Sequence, residues 1–321
     1  MKGRQVVGVL HTSVLTEEVY RYLKPVGDNE FMIDATLGEG GHAEYFLSRE
    51  TDLTIAGIDA DGSILAIAKE RLEPFGKRIR LFHQWFNGFF ASYPADLPRP
   101  DKILFDLGIS SYHYSQGNRG FSFRTDEALD MRLESDLEIS AADIVNEYPE
   151  SELADLLYGY GEERYSRQIA KAVVIARKQD AIRTSGKLAG IITDSVPSKY
   201  KHGRIHPATR SFQALRIAVN GELERLTQAL KNALSILRVG GRIGIISFHS
   251  LEDRIVKRFY VEKNKSCTCP PEWPMCNCGG KKILEIITRK PIEPDDREIA
   301  ENKPSRSARF RVAEKINEES L

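Results

Sequence analysis

Four short apolar runs, each ending near a turn or a helix-like stretch, constrain this chain more than any other feature. Phe31-Met32-Ile33-Asp34, residues 53–59, 78–82 and 102–106 read as buried strands. Helical stretches are expected from Ala43 and over 63–72. Continuously apolar strands separated by helices fold as a parallel sheet covered on both faces. The fold class expected is α/β, a doubly wound Rossmann-like sheet. A fifth strand is expected at 242–247, a helix at 251–263, and two last strands at 283–288 and 308–313.

The rhythm changes between the fourth and fifth strands. Residues 112–207 carry helical patterns at 151–158, 164–178 and 185–196, without a convincing strand. We read them as a helical domain, suited to substrate recognition, inserted into a domain made of 1–111 and 208–321. Residues 209–237 read as one long amphipathic helical region, closed by Gly240-Gly241. With 321 residues and 41% hydrophobic content, the chain can bury a core without disulfides. Lys+Arg and Asp+Glu both number 46, which argues against a strongly basic coat protein and an acidic disordered tail. No run approaches the ~18 apolar residues of a membrane span. The start lacks a secretory pattern, and the cysteines are confined to one stretch, so the expected location is cytoplasmic.

The loop after the first strand points to a ligand. Asp34-Ala-Thr-Leu-Gly38-Glu-Gly40-Gly41-His42 joins strand to helix, where glycines let backbone turn sharply and approach a ligand. Asp59 ends the next strand, 19 residues beyond Gly40, where a carboxylate can accept from ribose hydroxyls. A nucleoside-containing cofactor is therefore expected over the strand ends. Gly38-x-Gly40-x-x-Ala43 also fits a dinucleotide pattern, so a nicotinamide-dependent oxidoreductase stays open. Two features favour S-adenosylmethionine and a class I methyltransferase sheet. Asp34 sits where it can meet amino or ribose groups, and the last two strands lack a helix-length connection, as in a closing antiparallel hairpin. His42 at the helix start could meet a carboxylate, and Phe86 could pack on adenine.

Longer motifs then carry a family resemblance. They are His11 to Val19, Asp34 to His42, Asp106-Leu-Gly-Ile-Ser-Ser111, Gly120-Phe-Ser-Phe123 and Leu129-Asp-Met-Arg132. Tyr160-Gly-Glu-Glu-Arg164, His206 to Arg216, Ser247 to Ile255 and Ala300-Glu-Asn302 complete them. In order and over nearly the whole chain, these resemble the RsmH (MraW) family of bacterial rRNA cytosine-N4 methyltransferases. The resemblance implies methyl transfer from S-adenosylmethionine to N4 of one cytidine in the decoding region of 16S rRNA, in the small ribosomal subunit. It carries cofactor contacts onto Gly40, Gly41, His42, Asp59, Phe86 and Asp106. The family's usual Gln two residues beyond the Ser-Ser pair is His113 here. A non-catalytic ribosome-assembly factor is the other class kept open.

The chemistry needs acceptors beside the amine. A cytosine amine is conjugated and weakly nucleophilic; acceptors on its N–H groups aim its lone pair and stabilise the charge developing on nitrogen. Asp106 ends the fourth strand, where such an acceptor is expected. Many amino-methyltransferases carry Asp/Asn/Ser-Pro-Pro-aromatic there; this chain has Asp106-Leu107-Gly108-Ile109. Ser247 and His249 end the fifth strand, and His249 could accept the released proton, or Ser250 could simply cap the next helix. Asp130 and Arg132 either line the base pocket or pair with each other. Lys199, Tyr200, Lys201, Arg204 and Arg210 form a basic, aromatic-bearing stretch suited to RNA; residues 303–311 are also basic. Cys267-x-Cys269 and Cys276-x-Cys278 could hold zinc through four thiolates, with free thiols or a disulfide as alternatives. No membrane partner is expected, and a homodimer is left open.

Overall fold

The structure, a computed structural model, describes residues 13–115, 118–203, 205–267, 269, 272–273, 275 and 280–319. It divides into two compact units, one formed by residues up to Ile109 together with Arg225 onward, the other by Ser110–Glu224.

The first unit is built on seven strands: β1 (Phe31–Asp34), β2 (Thr54–Asp59), β3 (Ile79–His83), β4 (Lys102–Asp106), β5 (Arg242–Ser247), β6 (Leu284–Ile286) and β7 (Arg309–Lys315). Their order across the sheet is β3-β2-β1-β4-β5-β7-β6. Strands β1 to β5 pair in parallel, and β7 runs antiparallel to both β5 and β6. The helices of this unit are α1 (Thr16–Leu23), α2 (Gly41–Arg49), α3 (Gly62–Leu72) and α4 (Phe86–Ala91). The helices of the second are α5 (Ser111–Ser115), α6 (Ala141–Glu147), α7 (Glu150–Gly161), α8 (Ser166–Arg177), α9 (Ser185–Ser195), α10 (Ser198–Lys201) and α11 (Thr209–Asn220). Then come α12 (Glu222–Ile236), α13 (Ser250–Lys263) and α14 (Asp296–Glu301).

Alternate strand residues feed two cores. Phe31, Ile33, Ile103, Phe105, Ile243 and Ile245 meet Leu226, Leu230 and Leu234 of α12 and Val256 and Tyr260 of α13. Met32, Ile55, Leu104 and Ile246 face the other way, onto Val19 and Leu23 of α1, Phe46 and Leu47 of α2 and Leu72 of α3. This two-sided burial explains why the strands read as unbroken apolar runs.

Buried cations brace the sheet. Lys315 has no exposed side-chain surface; its ammonium donates to the carbonyls of Leu234 and Leu237, each at 2.9 Å, and meets Glu318 Oε2 at 2.7 Å. Those carbonyls belong to the end of α12, where partial negative charge collects. Arg99 supports the same turn through the Leu237 carbonyl at 2.8 Å. Lys102 and Glu30 form a second buried pair at 2.7 Å.

In the second unit, Leu153 and Leu157 of α7, Ile169 and Val173 of α8, Leu188 and Ile192 of α9 and Phe212 and Leu215 of α11 are buried. The expected helical insertion, 112–207, lies inside it, and the unit runs further, through α11 to Glu224. The long helical region expected over 209–237 consists of two helices, α11 and α12. Gly221, at φ 57, ends α11 in the left-handed conformation that glycine adopts without strain. Among the described residues no helix is long and apolar enough to cross a membrane.

Candidate active site

Three carboxylates end three adjacent parallel strands: Asp59 on β2, Asp34 on β1 and Asp106 on β4. Open sheets of this kind bind ligands beyond the carboxyl ends of their strands. The glycine loop lies between β1 and α2. Gly38 (φ 53) and Gly40 (φ 82) both take left-handed backbone. A Cβ at Gly38 would meet nothing within 4 Å, so its surface is open, whereas one at Gly40 would lie 3.0 Å from Leu72 Cδ1.

Asp59 fastens this loop as well as facing it. Its Oδ2 accepts from the Gly38 N–H at 2.8 Å, and its Oδ1 accepts from the Asp61 N–H at 2.9 Å. Asp61 in turn caps α3 through the Ser63 N–H. Phe86 opens α4, with its ring edge-on to Phe105 at 5.7 Å between centroids. Gly41 follows Gly40 as the first residue of α2.

Asp34 and His42 are almost fully buried. Asp34 Oδ1 accepts from the Thr36 N–H at 3.4 Å, while among the described residues Asp34 Oδ2, Asp106 Oδ1 and both His42 ring nitrogens are buried without a hydrogen-bond partner. His42 Nε2 lies 3.4 Å from Asp106 Oδ2, not aligned as a hydrogen bond. Burial pushes the Asp34 carboxyl up to about 7; His42 draws it down, and the neighbouring Asp106 and Asp59 push it up. The Asp106 backbone is pinned by its N–H donating to Thr36 Oγ1 at 2.6 Å. Thr36 lies within the glycine-loop motif, and the sequence carries no signal of this contact with Asp106, 70 positions later.

The end of β5 is differently employed. Ser247 donates its hydroxyl to the Arg309 carbonyl of β7 at 3.3 Å. His249, rather than Ser250, is the N-cap of α13. Its Nδ1 accepts from the Glu252 N–H at 3.4 Å, which leaves the hydrogen on Nε2, 3.1 Å from Glu252 Oε1. Glu252 Oε2 closes the capping box on the Phe248 and His249 N–H groups. Both ring nitrogens lie near Glu252, but among the described residues Nε2 has no aligned hydrogen bond. The replacement His249→Ala should cost about 1 kcal/mol of stability, read from urea unfolding; an unchanged midpoint would mean the cap contributes nothing.

Within the helical unit, His113 is buried, with its N–H donating to the Ser110 carbonyl at 3.0 Å and its ring 5.3 Å from that of Phe121. Asp130 and Arg132 take the pairing alternative: Arg132 Nε and Nη2 donate to Asp130 Oδ1 and Oδ2 at 2.6 and 3.0 Å. Tyr200 donates to Glu163 Oε2 at 2.7 Å, and burial with that bond pushes its hydroxyl up to about 12. Its ring packs edge-on to Tyr165 and under the Arg164 guanidinium. Lys199 is exposed, Lys201 lies 3.5 Å from Asp194, and Arg210 donates to the Glu162 carbonyl. Arg204 lies outside the described residues.

The basic run 303–311 is partly consumed inside the first unit. Arg311 makes a buried fork on Asp253, with Nε to Oδ1 at 2.6 Å. At the cysteines, the Cys269 N–H donates to Cys267 Sγ at 3.4 Å; Cys276 and Cys278 lie outside the described residues, and so does the expected four-thiolate geometry.

A parallel sheet closed by an antiparallel β7 inserted between β5 and β6, with acidic strand ends around a glycine loop, defines the class I methyltransferase fold. A family model described as "MraW methylase family" matches residues 8–316. The ribosomal RNA small subunit methyltransferase H of Treponema denticola is 55% identical over 308 residues, covering 96% of this chain and 98% of the relative. Those of Brevibacillus brevis and Citrifermentans bemidjiense are 42% and 44% identical, each covering 95% of this chain and 98% of the relative. The chain belongs to the MraW methylase family.

Proposed function

We propose that this chain transfers a methyl group from S-adenosylmethionine to N4 of one cytidine in the decoding region of 16S rRNA, within the small ribosomal subunit. The observation that carries this reading is the convergence of Asp34, Asp59 and Asp106 around the glycine loop, in a chain of this family. The relatives' shared designation supports small-subunit rRNA as the substrate.

The residues present fit the cofactor. Open space over Gly38, the half-exposed Asp59 carboxylate and the unpartnered Asp34 and Asp106 oxygens suit a cationic nucleoside. When bound, S-adenosylmethionine supplies an electrophilic methyl on a positively charged sulfur. Asp59 accepts from the ribose, Gly38, Gly40, Gly41 and His42 form the wall of the loop, and Phe86 offers its ring to the base. Asp106 accepts an N–H of the cytosine amine and stabilises positive charge on that nitrogen. His249 shapes the start of α13, its Nδ1 accepting from the Glu252 N–H. In the helical unit, Lys199, Lys201 and Arg210 supply phosphate contacts.

The test is mass spectrometry of 16S rRNA after incubating pure protein with unmethylated small subunits and methyl-labelled S-adenosylmethionine. One N4-methylated cytidine in the decoding region is the expected product, and Asp106→Ala should slow its formation about 100-fold. Unchanged RNA mass despite tight binding to the subunit would replace this reading with a non-catalytic assembly factor.

A further inference from the structure

Asp34 poses a problem that holding a ribose or an adenine does not solve. The residue is 1% exposed, and among the described residues one of its carboxyl oxygens has no donor. A buried carboxylate without donors is costly, so such a group binds a proton or waits for a cation. The groups around it deepen the problem. Asp106 presents another unpartnered oxygen from β4, and Asp59 adds negative charge from β2. His42, from α2, draws the Asp34 carboxyl down, and it acts in the same direction on Glu298 of α14, a further carboxyl. Glu298 is itself tied to the Leu15 N–H at 2.8 Å. The cluster therefore holds four carboxyls and one imidazole.

We infer that Asp34 carries an exchangeable proton that a cationic cofactor displaces and a neutral one does not, making Asp34 the residue that separates S-adenosylmethionine from its demethylated product, S-adenosylhomocysteine. The inference rests on the cofactor reading above and deepens it. The two molecules share the adenosine and the amino-acid group and differ by the methyl and one positive charge. A cation near these carboxyls stabilises ionised Asp34, and binding then expels its proton. The product lacks that charge, so Asp34 keeps its proton and the ligand gains no new ion-pair energy. Discrimination of this kind favours release of product over loss of cofactor.

The sign of the pH dependence follows. Below neutrality Asp34 is protonated and the cofactor must expel a proton to bind, so its affinity relative to product is low. Relative affinity rises with pH, at most about tenfold per unit, and levels off above about pH 7, where Asp34 is already ionised.

Isothermal titration calorimetry of the full chain tests this, with each ligand in two buffers of unlike ionisation enthalpy at pH 6 to 8. At pH 7 the cofactor should release roughly half a proton more than the product, and Asp34→Asn should abolish that difference. Equal proton release by both ligands in the unsubstituted protein, or a difference that persists in Asp34→Asn, overturns the inference. Infrared difference spectra of the unsubstituted protein give a second readout: a protonated-carboxyl band should vanish with S-adenosylmethionine and remain with S-adenosylhomocysteine. Its persistence with both would also overturn it. Failure of either ligand to bind removes the cofactor reading itself, which is a distinct result.

Discussion

Replacing Lys315 with methionine should lower the free energy of unfolding by about 2–4 kcal/mol. The methylene stem would still pack, so the loss isolates the ammonium. That group is fully buried and donates to the Leu234 and Leu237 carbonyls. Without it, backbone acceptors at the end of α12 stay buried and short of donors, and the helix end loses a compensating positive charge. Arg99 remains on the Leu237 carbonyl and moderates the cost. Urea denaturation measures the difference. A loss below about 1 kcal/mol, the scale of an exposed ion pair, would mean that Arg99 and water replace the ammonium. Arg99→Ala should cost less, because the Arg99 side chain is 46% exposed.

Replacing Asp59 with alanine should weaken binding of S-adenosylhomocysteine about 10–100-fold, the worth of one or two hydrogen bonds to a charged group. The substitution acts twice. It removes the acceptor for the ribose, and it releases the Gly38 and Asp61 N–H groups that the carboxylate holds. The glycine loop then loses the tie that fixes its left-handed turn. Asp59→Asn keeps a single acceptor oxygen and should fall between the two. Calorimetric affinities for the three proteins decide it; equal affinity in all three would move the ribose site away from β2.

The strand ends were legible because each acid closes a run of apolar residues, a pattern set by local chain order. Asp34, Asp59 and Asp106 are found this way, and the glycine loop with them. Residues whose roles depend on distant partners were not. Tyr200 reads as a free aromatic in a basic stretch, yet its hydroxyl belongs to Glu163, 37 positions earlier. Arg311 reads as part of a basic run, yet it forms a buried fork on Asp253, 58 positions earlier. His249 reads either as a proton acceptor or as part of a turn capped by Ser250, and the structure makes His249 itself the N-cap, in a capping box with Glu252. The break between α11 and α12 rests on Gly221, a lone glycine inside an otherwise continuous amphipathic pattern.

The split of the sheet across the chain bears on synthesis. Strands β1 to β4 are complete by Asp106, whereas β5 begins at Arg242 and β7 at Arg309. At about 5–20 residues per second, roughly 7–27 s separate the emergence of β4 from that of β5, the strand that covers its edge. The helical unit is one continuous stretch and can fold in that interval, whereas β4 waits with an unpaired edge. The nascent chain thus has a window in which half its sheet is open to chaperones or to wrong pairing, and slower translation across residues 110–241 would lengthen it.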